Sequence, residues 1–471
     1  MKRLLPYLFC CLSFTVLAQP IEANLLGTWT DPSIPATVFF GNPFNEVWGV
    51  AVNGSEIGII GSTEGTHFID VTAPTNPTEI NSAFVAGGSQ GIGIVHRDFH
   101  DFNNYLFAVA DEGNTSTLQV IDISDLPNST SVVYDSDEIL NRAHNIFIDS
   151  THARLYSCGA RRTGTPGFIN LQIIDIQDPT NPVLLRDYNE IPYVHDVYVK
   201  NNIAYANCGD DGFFVVDFSD IDNPIILGSM TTYPQQGYNH SGWLDLDEDY
   251  YYMADETWNT DLKVVDVSDF DDMSVEQTFN AAQTLTTIPH NLIVRCDLLY
   301  VSYYYEGLQV YDISNPLNPQ RIFFYDTSTE MNTTDYEGAW GVYPFLPSGN
   351  ILVSDMQNGL FVIEAVSAHE CENITSTADP KTLLNSVKVF PQPATDVVHI
   401  EFQAAENLAE TSVELIDLTG RTVQSLGKWE IQEGTNTWNF SLPTAVKSGV
   451  YFVKISNESW SVNQKLLIQK N

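Results

Sequence analysis

One short run recurs seven times along this chain, and a repeat at that spacing limits the fold more than any other feature. The clearest copy is Leu308-Gln-Val-Tyr-Asp312-Ile-Ser-Asn-Pro316-Leu-Asn-Pro319. It returns as Leu171-Gln-Ile-Ile-Asp175-Ile-Gln-Asp-Pro179, as Phe68-Ile-Asp70-Val-Thr-Ala-Pro74 and as Phe214-Val-Val-Asp217-Phe-Ser-Asp. Shorter copies are Leu118-Gln-Val-Ile-Asp122, Leu262-Lys-Val-Val-Asp266 and Leu360-Phe-Val-Ile-Glu364, the last with Glu in place of Asp. The seven acids lie 42 to 53 residues apart. Each unit reads as four short strands. The runs are β-branched and aromatic, and Gly, Asn, Asp and Pro separate them. Four strands per unit of this length is the propeller pattern.

The ends of the array predict how the ring closes. The seventh unit has three strands before the chain leaves near Val366. Asn24-Leu-Leu-Gly-Thr-Trp29 matches the fourth strand Ile225-Ile-Leu-Gly-Ser-Met230 and has no three strands before it. It is therefore expected to complete blade seven and leave no long unpaired edge. The predicted fold is all-β: a seven-bladed β-propeller over 19–366, closed by an N-terminal strand. A polar linker at 367–386 and a small C-terminal β-sandwich at 387–471 follow.

Met1-Lys2-Arg3, the apolar run Leu4 to Leu17 and the small residue Ala18 read as a secretory signal peptide over 1–18. No other stretch is apolar and long enough to span a bilayer, so the mature chain is expected to be exported without a transmembrane segment. With 60 acidic against 20 basic residues the formal charge is −40. Phosphate binding needs a basic surface, so nucleic acid is excluded as a partner. Cys158, Cys208, Cys296 and Cys371 remain after cleavage and permit two disulfides, with no zinc-type spacing.

The repeats resemble those of LVIVD-repeat propellers on exported bacterial proteins, in particular the choice-of-anchor B group. The resemblance covers about residues 24–366 and implies a fold and no activity. The last 85 residues resemble the type A C-terminal sorting domain of the type IX secretion system. That resemblance is carried by Phe390-Pro-Gln-Pro393, the Asp417-Leu-Thr-Gly420-Arg421 turn, Ser448-Gly449-Val450-Tyr451 and Lys465-Leu466-Leu467-Ile468. It implies type IX machinery as a partner of 387–471, and delivery to the surface or exterior of a Bacteroidetes-type bacterium. An adhesive β-sandwich is the alternative for this segment.

One repeat position points to chemistry. The residue before the first strand of each unit reads as Trp48 and Trp340 in units one and seven. In units two to six it reads as His100, His144, His195, His240 and His290. The chain has only 10 His, so half of them share one position. The first strand of a blade lines the central channel, so these imidazoles should converge at one mouth. The second-to-third loops reach the same mouth and hold Asp111, Glu112, Asp210, Asp211, Asp255, Glu256, Glu306 and Asp355. Imidazoles with carboxylates are a ligand set for a transition metal. The alternative is a framework role, with each His hydrogen-bonded within and between blades, as in WD-type propellers.

Trp258, Tyr303 and Tyr304 fall in loops at that mouth beside Asp255 and Glu256, and could stack on a sugar or a peptide. Tyrosines packed between blades are the alternative. Asp245-Leu-Asp247-Glu-Asp249 lacks the glycine and distal Glu of an EF-hand loop and reads as a solvated turn with weak calcium affinity at most. No nucleophile elbow, Walker loop or dinucleotide fingerprint is present. The reading favours a binding module for a surface glycan or protein ligand. A metal-dependent oxidase or hydrolase using the His ring is the alternative.

Overall fold

Alternating β-branched and aromatic runs between turn residues fold into strands almost throughout. The computed structural model describes residues 20–366 except 114, 282–287 and 329–334. It also describes 384–470 except 392–393, 396, 405–407, 417–421, 433, 443–445, 448 and 457–460. The signal peptide, most of the linker, Cys371 and the Asp417–Arg421 turn lie outside the described residues. Among these residues no helix is long and apolar enough to cross a membrane. The chain divides into two units, Met1–His369 and Glu370–Asn471.

The first unit is built from seven sheets, each with four antiparallel strands; blade one adds Val85–Ala86 beside its third strand. Their inner strands are Phe44–Val52, Arg97–Phe102, Asn145–Asp149, Asp196–Lys200, Asn239–Leu244, Leu292–Arg295 and Ala339–Tyr343. Each inner strand packs beside the next, and the seventh packs back on the first, so the ring is closed. Leu25–Trp29 pairs antiparallel with Gly359–Ile363 and supplies the fourth strand of blade seven. A short segment not foreseen, Ile21–Glu22, adds in parallel to the outer strand of blade six.

The repeated Asp has a local cause. Asp70, Asp122, Asp175, Asp217, Asp266 and Asp312 each accept a hydrogen bond from the backbone N–H two residues on, at 2.7–3.0 Å. These Asx turns end the third strand of each blade. In blade seven Glu364 instead accepts from Asn24, from both its backbone and its side chain, and so ties the closing strand. Apolar residues alternating along the strands pack between neighbouring blades. Tyr156, Cys158 and Ile173 of blade three meet Val197, Val199 and Ala206 of blade four in one buried cluster. Burial of this kind stabilises by roughly 1.5–3 kcal/mol per large side chain.

Cys158 and Cys208 are free and buried, whereas Cys296 is disulfide-bonded. The second unit has sheets of three and four strands that share one core, with Val398, Ile400, Leu415, Val453 and Leu466 buried in it. Its first strand begins at Leu384, so its first three residues fall in the expected linker.

Candidate functional site

Inner strands of a propeller put side chains of equal rank at equal depth, and here they form three tiers down the channel. The first is a circuit of rings: His96, His144, His195, His240, His290 and Trp340. Successive ring centroids lie 4.9, 4.1, 4.2, 4.3 and 5.0 Å apart, and Trp340 closes on His96 at 5.2 Å. The second tier is polar: Glu46, Asp98, Asn145, Asp196, Ser241 and Asn291 surround a void of about 70 Å³. The third is aromatic, with Trp48, His100, Phe147, Tyr198 and Trp243 in sequence at 4.5–5.1 Å and Tyr343 5.0 Å from Trp48.

This arrangement corrects two residues of the sequence reading. His100 is not in the ring at the mouth; it lies in the third tier between Trp48 and Phe147, and burial pushes its pKa down to about 4. His96 takes the place expected of it. Trp48 is likewise a tier deeper, because the inner strand of blade one begins at Phe44. A β-bulge underlies the consecutive channel-facing residues. The pairing shifts between Asn239 and Ser241 and between Ala339 and Gly341, so His240 and Ser241 both face the channel. The missed signal was Val95-His96, which mirrors Val194-His195 with Arg97 inserted before the acid. Arg97 itself turns sideways and donates to the carbonyls of Ser62 and Ser89.

Above the ring lies a cavity of about 220 Å³ lined by the His ring, Phe40, Glu256, Tyr304, Tyr336, Trp340 and Met356, among others. The loops deliver some expected residues to it and withhold others. The Tyr304 hydroxyl donates to Glu256 Oε1 at 2.6 Å, and its ring lies 4.7 Å from His290. Glu256 Oε2 is 3.7 Å from His240 Nε2, and Oε1 is 4.0 Å from His290 Nε2. Trp258 stands behind Tyr336 at 5.1 Å. Tyr303 and Asp255 do not reach the cavity. Tyr303 is fully buried among Tyr252, Val264 and Tyr311 between blades. Asp255 is buried in an ion pair with Lys263 at 2.9 Å and also accepts from Tyr233 and Gly237. Asp245 accepts from the N–H groups of Asp249 and Tyr250 and closes a turn.

Hydrogen bonds fix which imidazole nitrogens are available. His195 Nδ1 meets the His240 carbonyl at 3.2 Å, and His290 Nδ1 meets the Trp340 carbonyl at 2.5 Å. A carbonyl only accepts, so each Nδ1 carries the hydrogen and each Nε2 keeps its lone pair. Burial drives the pKa of His195 and His240 well below the usual imidazole range, and neighbouring imidazoles push further the same way. Burial takes His290 down to about 3. These rings are neutral at physiological pH, the form that binds metal. His144 differs. Burial lowers its pKa, but the Asp111 hydrogen bond at 2.9 Å and the Asp111 charge outweigh burial and raise it. Burial also raises Glu256 to about 7, Asp196 to about 7 and Glu46 to about 8. His195, His240 and Glu256 each offer one ligand atom, and the three atoms lie within 4.8 Å of one another.

Residues 169–190, 193–232, 242–280 and 290–327, in blades three to six, match the LVIVD repeat. Residues 388–469 match the secretion system C-terminal sorting domain. The chain carries LVIVD repeats and a type IX secretion sorting domain. That domain places the protein on the type IX export route of Bacteroidetes, at the outer surface or outside the cell. No curated protein matches the chain. Among solved structures, one similar fold is a protein from Lactobacillus plantarum, at 11% identity and TM-score 0.49 over 84% of this chain and 99% of that one. Another is the periplasmic gluconolactonase of Pseudomonas aeruginosa, at 11% identity and TM-score 0.49 over 85% and 99%. A putative 6-phosphogluconolactonase from Bacteroides fragilis follows at 10% and 0.47 over 84% and 98%.

Proposed function

We propose that this exported propeller is a binding protein whose ligand enters the mouth cavity and meets a transition-metal ion held by His195, His240 and Glu256. His290 stands beside them as a further ligand. The convergence of neutral imidazoles on a carboxylate carries the reading. Two atoms each about 2.0–2.2 Å from one ion lie up to about 4 Å apart. Separations of 3.7 and 4.0 Å between Glu256 and the Nε2 atoms of His240 and His290 suit such an ion, and both are too long for hydrogen bonds. Phe40 and Tyr336, 5.7 Å apart, form an aromatic wall at the cavity. A ligand that coordinates through oxygen and stacks on rings, as sugars do, fits both features.

The test is elemental analysis of the full exported chain, purified without a polyhistidine tag. His240→Gln and Glu256→Gln are expected to remove about one bound ion per chain relative to wild type. Equal metal content in all three proteins refutes the proposal. The room beside the ligand set favours a second reading, a metal-dependent hydrolase or oxidase with an open coordination position. An enzyme converts its ligand and stops when the ion is stripped, whereas a binding protein returns the ligand unaltered.

A further inference from the structure

We propose that the mouth carries a second metal site, built by His96, His144 and Asp111, so that the ring is a two-ion centre. The inference rests on the metal reading of His195, His240 and Glu256 and deepens it. His96 and His144 precede the inner strands of consecutive blades. Asp111 follows directly on Tyr105–Ala110, the second strand of the blade that His96 opens. One ligand atom from each of the three residues lies within 4.8 Å of the others.

Two observations point to an ion here. The first is the placing of both imidazoles by carboxylates. Glu112 holds His96 Nδ1, and His144 Nδ1 lies 2.9 Å from Asp111 Oδ2, a separation that two ligand atoms on one ion take. Glu112 keeps the hydrogen on His96 Nδ1 and presents Nε2 for coordination, which is how metal-ligating histidines are oriented, while His144 would coordinate through Nδ1, the nitrogen that faces Asp111. Glu112 is itself fixed by the N–H groups of Val95 and His96, each at 3.0 Å. The second observation is independent of the first. Asp111 Oδ1 is buried and has no hydrogen-bond partner. A buried carboxylate oxygen without a donor is costly, and coordination would satisfy it.

The two sites adjoin through His144 and His195, whose rings are 4.1 Å apart. The second offers two imidazoles and one carboxylate and the first adds His290 as a third imidazole; both sets suit Zn, Co or Cu, and the second leaves a position open. Asp111, Glu112 and Glu256 together supply negative charge against two divalent ions. A ligand in the cavity above would then meet both ions at once.

The test is equilibrium dialysis of the full chain, stripped of metal and purified without a polyhistidine tag, against Co²⁺. Wild type is expected to bind about two ions, and His96→Gln and His240→Gln about one each, leaving different sites filled. Asp111→Asn keeps the side-chain shape and is expected to match His96→Gln, so a folding defect in one variant does not hide the result. Cu²⁺ adds a readout that a structural role cannot move. At two equivalents its electron paramagnetic resonance spectrum should broaden through coupling between ions, and the broadening should vanish in His96→Gln. One ion in wild type, kept in His96→Gln and lost in His240→Gln, overturns the second site and leaves the first standing. One ion lost in both variants means a single shared centre and also overturns the second site. No ion in wild type removes both readings.

Discussion

The closing strand makes the strongest claim about the fold, and a single methyl group tests it. Gly27 sits in the middle of Leu25–Trp29, wedged between blade seven and the turn after the third strand of blade one. A Cβ added there would lie 2.4 Å from the Pro74 carbonyl oxygen and 2.6 Å from Pro77 Cδ. Neither atom belongs to a flexible side chain, so the strand or the turn must move. Overpacking of this kind costs about 1–3 kcal/mol, and a rigid backbone partner argues for the upper end. Taking the sensitivity of large domains as about 2 °C per kcal/mol, Gly27→Ala should lower the propeller melt by about 6 °C. Trp29→Ala should act in the same direction. Its half-buried indole packs on Phe44 at 5.8 Å and His67 at 5.2 Å, so its loss costs about 2 kcal/mol. Scanning calorimetry of the full chain resolves this, with Trp429→Ala in the C-terminal unit as the control that leaves the propeller transition in place. If Gly27→Ala and Trp29→Ala both melt within a degree of wild type, the strand does not hold the ring.

Three further outcomes follow from buried charge and burial. Asp196 is raised from 3.8 to about 7 by burial, so between those values the folded state holds a proton that the unfolded state has lost. Stability must therefore fall as pH rises from about 4 to 7; Asp196→Asn should flatten that slope in denaturant titrations, and identical slopes would contradict the assignment. Lys263→Met leaves Asp255 charged and buried without its 2.9 Å partner, and should cost about 3–5 kcal/mol in chemical unfolding. Adding Asp255→Leu should recover part of that loss; no recovery argues against the pair. Burial raises the pKa of both Cys158 and Cys208, so a thiol reagent should label them only after unfolding, and rapid native labelling would count against the packing between blades three and four.

The sequence disclosed the blades because the repeat carries its own geometry: an Asp that closes an Asx turn and a Pro that ends the ladder are visible one residue at a time. It disclosed the site less well because successive residues of the loops at the mouth face opposite ways. Tyr303 packs between blades while Tyr304 reaches Glu256, and hydropathy does not separate them. Asp255 and Glu256 divide in the same manner. A departure at a fixed repeat position could have placed Asp255. The Gln that follows Leu118, Leu171 and Leu308 becomes Lys263 in blade five, and a buried Lys needs a nearby acid. His96 and His100 both precede an alternating run, and the insertion of Arg97 sets the depth of each. The second tier of Glu46, Asp98 and Asp196 went unread because three separate blades contribute one acid apiece.

The choice between a framework ring and a ligand ring is decided by how each nitrogen is spent, and His67 provides the comparison within the same molecule. It occupies the repeat position of Gln119 and Gln172, is 4% exposed, and uses both nitrogens on protein: Nδ1 with Glu79 at 2.7 Å and Nε2 with the Ser62 hydroxyl at 2.8 Å. That is what a structural histidine does. The mouth histidines do otherwise. His195 and His290 use Nδ1 alone, and His240 keeps a buried Nδ1 with no partner while its Nε2 stands 3.7 Å from Glu256. A ring built only to lock blades together would spend this nitrogen on protein, as His67 does, yet in three consecutive blades Nε2 is left facing the cavity. The two classes should therefore separate in experiment. His67→Gln should lower the melting temperature and leave metal content unchanged, and His240→Gln should lower metal content with a smaller effect on the melt. If both act on stability alone, the mouth ring belongs to the framework.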